Sequence, residues 1–400
     1  MKYYKKIIIL ILMSLLIFIS IPTCVKSKEE IKDGENTTVQ DDKIYETTEQ
    51  GLEKLYDYIN KRKTDIELMN ELEPSEYVKS YIKNGKGNIT VGEIGKALIS
   101  LLFKEVNSVF ALAISIVAIA LICSLLKNLQ GAFSSKGVSE IAFYACYSII
   151  IMILSRSFLI AISVAKDVIM DVSDFMSAIL PILVTMVSLA GGITQAATID
   201  PIVMGAVIVV PRIYSSIIIP LILISFVLQF TNNLSEEHKI NNLCKMVKQW
   251  IVWFQGIIIT VFIALLTIRG ITSNTIDAVT LKTTKFAVDN FVPIVGKAFS
   301  DAISSVAAYS LIIKNAVSGV GLLVIILIIL YPILKIVLMS FIYKIAASLV
   351  EPISDKRITS TIAAAGDSLI LLLSCVLAVS LMFFVVIAIM ANAGKFIVGG

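Results

Sequence analysis

Chemistry in a chain this apolar has to rest on the few polar side chains that interrupt its hydrophobic runs. His238 is the single histidine and sits in the polar stretch Ser235-Glu236-Glu237-His238-Lys239. No second ligand or nucleophile lies near it in sequence, which argues against HExxH zinc chemistry and against a Ser-His or Cys-His nucleophile. An intramembrane aspartyl protease needs two facing aspartates within spans, and Asp367, in Gly366-Asp367, stands alone at a helix edge. Gly296-Lys297 lacks the glycine five residues earlier and the following Ser or Thr of a phosphate-binding Walker A loop. ATP-driven work would therefore fall to a partner ATPase. Cys123, Cys146, Cys244 and Cys375 are scattered, three of them in apolar runs, and read as small buried hydrophobes rather than a disulfide set or metal cluster. The expectation is a non-enzymatic protein with no catalytic residue, cofactor or metal.

What remains is charge and glycine inside apolar sequence. Arg156 lies between Ile149–Leu154 and Phe158–Ile162, Arg212 follows Pro211, and Lys314-Asn315 sits between Leu311 and Val317. An unpaired charge at a bilayer centre costs at least about 2.5–3.5 kcal/mol, so each needs a partner, a pore or the bundle interior. For Arg212 and Lys314 snorkelling to an interface is the simpler reading; for Arg156 it is a lining or gating role. Gly191, Gly192, Gly205, Gly319 and Gly321 read as close helix packing. Arg156, Gly191, Gly192, Pro293 and Lys314 are the candidate pore or packing positions.

The elements that must carry these residues follow from composition. Of the 400 residues 57% are hydrophobic and 16% charged, with a mean hydropathy of +0.89. A soluble domain carries about 25% charge. Residues 26–96 hold 28 of the 64 ionised groups, so a short polar region precedes a polytopic all-α membrane domain. The net charge of +4 and the absence of a basic, aromatic-interleaved patch argue against nucleic acid. Lys2, Lys5 and Lys6 followed by the apolar run Ile7 to Ile21 and Pro22 read as a signal peptide over residues 1–23, with an uncleaved anchor as the alternative. Thr23 before Cys24 argues against a lipoprotein site. Residues 24–95 then form an extracytoplasmic region of a polar linker and short helices, and residues 96–400 the membrane domain.

Apolar runs near 20 residues long, enough to cross a bilayer, are Ser108–Leu126, Ile141–Ala165, Ile213–Phe230, Trp250–Ile268, Ala316–Leu334 and Ser368–Ala391. Phe175–Val210, with Gly191-Gly192 at its tip, and Val279–Ile313, punctuated by Pro293, predict two interrupted or re-entrant hairpins. Lysine and arginine place the loops 127–140, 231–249 and 335–367 in the cytoplasm and 166–174 outside, with 269–315 as an exception. Residues 174–268 and 286–391 share one order of segments at an offset of 112. That pattern fits a parallel internal repeat or coincidence among Ile- and Val-rich helices.

Several stretches carry a resemblance: Ala264-Leu-Leu-Thr-Ile-Arg-Gly-Ile-Thr-Ser273, Val279-Thr-Leu-Lys-Thr-Thr-Lys-Phe-Ala287 and Pro293-Ile-Val-Gly-Lys297, then Leu311-Ile-Ile-Lys-Asn-Ala-Val317, Phe341-Ile-Tyr-Lys-Ile-Ala-Ala347 and Val379-Ser-Leu-Met-Phe-Phe384. The series closely resembles the stage III sporulation protein AE family of endospore-forming bacteria, over nearly the whole chain and most densely from Gln255 onward. The resemblance implies a multipass subunit made in the mother cell and seated in the outer forespore membrane. It implies partners: other stage III sporulation membrane proteins, ring-forming proteins and an ATPase like those of secretion systems. The assembly would be a channel linking mother cell and forespore, and the resemblance brings no catalytic residues. A permease-like secondary transporter of a small solute and a scaffold that only anchors rings are the other readings, and the chain would form a homo-oligomeric ring if it is the channel.

Overall fold

Between Val138 and Leu180 the chain has neither glycine nor proline, so nothing local ends a helix there. The computed structural model, which describes residues 106, 109–111, 113–125, 136–234, 240–291 and 296–393, forms one helix through that stretch. The signal peptide, the 24–95 region and Pro293 lie outside the described residues. The chain divides into two units, Met1–Thr47 and Thr48–Gly400, and every described residue belongs to the second. Among the described residues all regular structure is helical.

A short apolar helix, α1 (Val109–Leu125), precedes α2 (Lys136–Leu189). Then come α3 (Ile193–Ile213), a π turn (Tyr214–Ile218) and α4 (Ile219–Leu234), which make one unbroken helical run. Three more long helices follow: α5 (Asn241–Phe291), α6 (Gly296–Val350) and α7 (Lys356–Asn392). Five runs are long and apolar enough to cross a membrane, with α1 shorter. This is an all-α polytopic membrane protein. Several helices far exceed one crossing: the 54 residues of α2 reach about 80 Å at 1.5 Å per residue, against a hydrocarbon core of about 30 Å.

The expected segmentation is corrected at three places. Residues 166–174 are not an outer loop, because Asp167, Asp171 and Asp174 fall inside α2. The first arm of the predicted hairpin, Phe175–Leu189, is the end of that same helix, and Gly191-Gly192 turns the chain from it into the second arm, α3. The predicted loop 335–367 is the end of α6, a turn over 351–355 and the start of α7. Membrane helices also absorb their prolines: Pro181, Pro201, Pro211 and Pro332 all lie inside helices. At Pro220 the missing N–H and the ring's clash with the carbonyl four residues back are relieved by the π turn, in which the Ile219 N–H donates to the Tyr214 carbonyl.

Contacts fix the directions. Ser124 Oγ donates to the Ile353 carbonyl, and Tyr147 Oη bonds the Phe230 carbonyl (3.0 Å) and Thr361 Oγ1 (2.8 Å). Arg357 lies 3.7 Å over the Phe143 ring, while Asp355 caps α7 by accepting from the Arg357 N–H. These contacts gather the ends of α1, α4 and α6 with the starts of α2 and α7 around the 351–355 turn, the basal end. The opposite, apical end holds the Gly191-Gly192 turn and the end of α7. The described parts of the stretches read as cytoplasmic from their lysines, 136–140, 231–234 with 240–249, and the turn within 335–367, lie toward the basal end. At the offset of 112, the α3–α4 run falls on α6 and α5 on α7, helices of matching direction. The Gly191-Gly192 turn, however, falls within α6 rather than on a turn.

The core lies along α7. It is the most enclosed of the long helices and packs on α2, α4, α5 and α6. Phe158 stacks on Phe226 with ring centroids 3.9 Å apart, joining α2 to α4. The outer faces of α2 and α5 carry exposed Ile149, Met152, Leu159, Trp250, Trp253, Ile257 and Val261, the surface a lipid-facing helix presents.

Candidate functional site

In an apolar interior a side-chain amide must be hydrogen-bonded, since an unmade bond costs about 1–3 kcal/mol. Two glutamines lie almost fully buried between helices, Gln229 on α4 and Gln255 on α5, each 6% exposed. Gln229 Nε2 donates to the Ser225 carbonyl (3.0 Å) and to Ser368 Oγ on α7 (3.1 Å). Gln255 Nε2 donates to Cys375 Sγ (3.3 Å), while its Oε1 accepts from Ser374 Oγ (2.9 Å). Ser368 and Cys375 are seven residues apart, two turns of α7. The two amides therefore form a polar seam about 10 Å long on one side of the central helix.

Charge stands beside that seam. Lys344 Nζ on α6 pairs with Asp367 Oδ1 on α7 at 3.1 Å. Gly366 makes the pairing reachable. A Cβ there would sit 3.2 Å from the Ser340 carbonyl oxygen and 3.3 Å from Lys344 Cγ, and Ser340 Oγ donates to the Gly366 carbonyl at 2.9 Å. The two backbones are pressed together where the ion pair forms. From Ile358 through Ser380, Asp367 is the only exposed residue of α7. The side chains of Lys344 and Asp367 are 46% and 53% exposed, so the enclosed helix is uncovered at its one carboxylate.

The residues expected to matter fall elsewhere. Arg156 is exposed on the outer face of α2, beside exposed Met152, Leu159 and Ile160. Arg212 is also exposed. Lys314 does not snorkel: it is fully buried, and its Nζ donates to the Ala393 carbonyl at the C-terminus of α7. The negative end of a helix dipole stabilises a cation there. Gly191 takes φ 92°, the left-handed conformation that closes the turn after α2, and Gly192 caps α3. Gly205 and Gly319 have open space where a Cβ would stand, so close packing does not explain them. Gly321 does bring helices together, with Ile179 Cδ1 2.6 Å and Ile387 Cδ1 3.1 Å from its ideal Cβ. Cys123, Cys146, Cys244 and Cys375 are buried thiols outside any disulfide, and among the described residues no three His, Cys, Asp or Glu side chains gather where they could hold a metal ion.

The family model described as stage III sporulation protein AE matches residues 72–394. The chain belongs to that family. A curated relative, the stage III sporulation protein AE of Bacillus subtilis (strain 168), is 29% identical over 312 residues, 78% of each chain. No solved structure matches. As a member of the stage III sporulation protein AE family, the chain is a membrane protein with a role in sporulation. The seam of Gln229, Gln255, Ser368 and Ser374, with Asp367 at its side, is what sequence reasoning missed as a site. Asp367 was visible as a lone acid in Gly366-Asp367. The glutamines offered only the signal of an amide inside an apolar run.

Proposed function

We propose that the chain is the multipass subunit of a channel complex linking mother cell and forespore, needed for late forespore development. In this reading it is not an enzyme. It sits in the outer forespore membrane on the mother-cell side, with ring-forming proteins and a separate ATPase as partners. The observation that carries the proposal is the hydrogen-bonded seam of Gln229, Gln255, Ser368 and Ser374 within an otherwise apolar bundle. Polar side chains at membrane depth are costly and mark pathways. A scaffold that only anchors rings would be served as well by an apolar core.

A secondary transporter is the second reading. It is favoured by the offset of 112, which superposes helices of matching direction as parallel repeats require. Both readings are tested in sporulating cells that lack the chain and carry a late forespore reporter and a tagged copy. Restored reporter activity, with the tagged copy bringing down other sporulation membrane proteins and an ATPase, supports the channel. Restored activity with the tagged chain recovered alone supports the transporter and contradicts the complex.

A further inference from the structure

Side-chain contacts between the helices fix which of their residues lie at the same height. Gln255 on α5 bonds Ser374 on α7, and these two helices run in the same direction. Seven residues nearer the basal end on each come Lys248 on α5 and Asp367 on α7. Lys344 on α6 pairs with Asp367. On α4, Gln229 bonds Ser368, the neighbour of Asp367, and Thr231, Asn232 and Asn233 follow within about one turn. Phe226, one turn before Gln229, stacks on Phe158 of α2, which sets Arg156 at that height too. α2, α4, α5, α6 and α7 therefore each bring a polar or ionisable side chain to one ring around the bundle. Arg156 is exposed, and Lys344 and Asp367 are half-exposed.

On the apical side of the ring, charge is sparse over the depth of a bilayer. After Lys248 the next charged residue of α5 is Arg269, 21 positions on and about 31 Å away at 1.5 Å per residue. On the α3–α4 run no charge falls between Arg212 and Asn232, about 30 Å. From Ser368 to Asn392 α7 has none. The hydrocarbon core is about 30 Å thick. Lys335 on α6, and Lys166 and Asp167 on α2, interrupt the interval. Lys335 donates to Tyr331 Oη (3.1 Å), Asp167 accepts from Ser163 Oγ (3.3 Å), and lysine stems extend toward an interface. The chain's two tryptophans, Trp250 and Trp253, are exposed and lie within about 8 Å of Lys248 on its apical side. That is where an aromatic belt stands at the edge of a membrane.

We propose that this ring is where the bundle meets the phosphate headgroups of the cytoplasmic leaflet, with the hydrocarbon core on its apical side. Arg156 and Lys344 supply cations to the phosphates, and Trp250 and Trp253 supply the interfacial rings. The basal end, about 17 Å of α7 from Lys356 to Asp367, then stands beyond the hydrocarbon. Exposed Ile141, Ile149 and Leu349 on that part come within reach of water and headgroups. The seam starts at the ring and runs about 10 Å into the membrane. This register in the bilayer is independent of whether the chain serves a channel, a transporter or a scaffold.

The test uses the unaltered full-length protein in phospholipid vesicles, since its two tryptophans both lie beside the ring. Lipids brominated high on the acyl chain are compared with lipids brominated near the chain end as quenchers of tryptophan fluorescence. Stronger quenching by the high bromines is expected. Stronger quenching by the deep bromines would set the ring at mid-bilayer and overturn the proposal. A second readout is thiol labelling of Ile149→Cys and Ile160→Cys with the native cysteines replaced by alanine. Both positions are exposed on α2, one on each side of Arg156. An impermeant reagent at the cytoplasmic face should modify position 149 several-fold faster than position 160. Equal protection of the two would overturn the proposal. Modification of 149 from the outer face alone would overturn the assignment to the cytoplasmic leaflet.

Discussion

Lys314 and Arg156 show how far a residue's type predicts its place. Both are cations inside apolar runs, yet Lys314 is fully buried and Arg156 exposed. Hydropathy treats them alike because it ignores the distant backbone that each can reach. The carbonyl of Ala393 lies 79 positions beyond Lys314, and no local pattern announces that contact. Lys314→Met strips the donor from a buried helix terminus and leaves its carbonyl short of a partner. The expected loss is about 1–3 kcal/mol, read as a lower thermal midpoint of the purified protein in detergent. An unchanged midpoint would show that the contact carries no stability. Arg156→Leu should behave in the opposite way. It removes a charge from an outer apolar face, so stability should stay within about 0.5 kcal/mol of the original and sporulation should proceed. Loss of sporulation at normal abundance would contradict the placement of Arg156 away from any essential path.

At the scale of elements, fold class and helical character were legible, while the ends of the helices were not. Among the described residues each apolar run chosen from sequence is helical, because 20 apolar residues without water must pair their own backbone. The error came from treating charge as a helix end. Asp167, Asp171 and Asp174 stand at spacings of four and three, one face of a helix, and neither glycine nor proline accompanies them. The true ends carry chemistry that a sequence does show: Gly191 at φ 92° after α2, and Pro352 with the capping Asp355 before α7. Gly191→Ala forces a side chain into a left-handed turn and should cost about 1–2 kcal/mol. Gly321→Val tests the close packing of α2, α6 and α7. Its side chain would meet Ile179 and Ile387, and overpacking of this kind costs about 1–3 kcal/mol. Thermal unfolding of each variant measures these losses, and Gly319→Ala, placed in open space, should change little.

For the whole molecule, an apolar bundle encloses a short polar seam with the Lys344–Asp367 pair beside it. The sequence contained every residue of the seam but not their meeting, since Gln229 and Ser368 are 139 positions apart and Gln255 and Ser374 are 119 apart. Only the packing of α4 antiparallel to α7, and of α5 parallel to it, brings them together. With the basal end in the cytoplasm, cysteines placed at 235–245 should be protected from an impermeant thiol reagent added outside, and labelling there would invert the orientation. The central claim is that this bundle works as a channel subunit within a larger assembly. Electron cryo-microscopy of particles purified through a tag on this chain, from cells arrested at engulfment, tests it most directly. The account predicts several copies or partners arranged around an axial lumen, in continuity with the Gln229–Gln255 seam. Isolated monomers without partner density, or a ring whose lumen lies away from the seam, would contradict it.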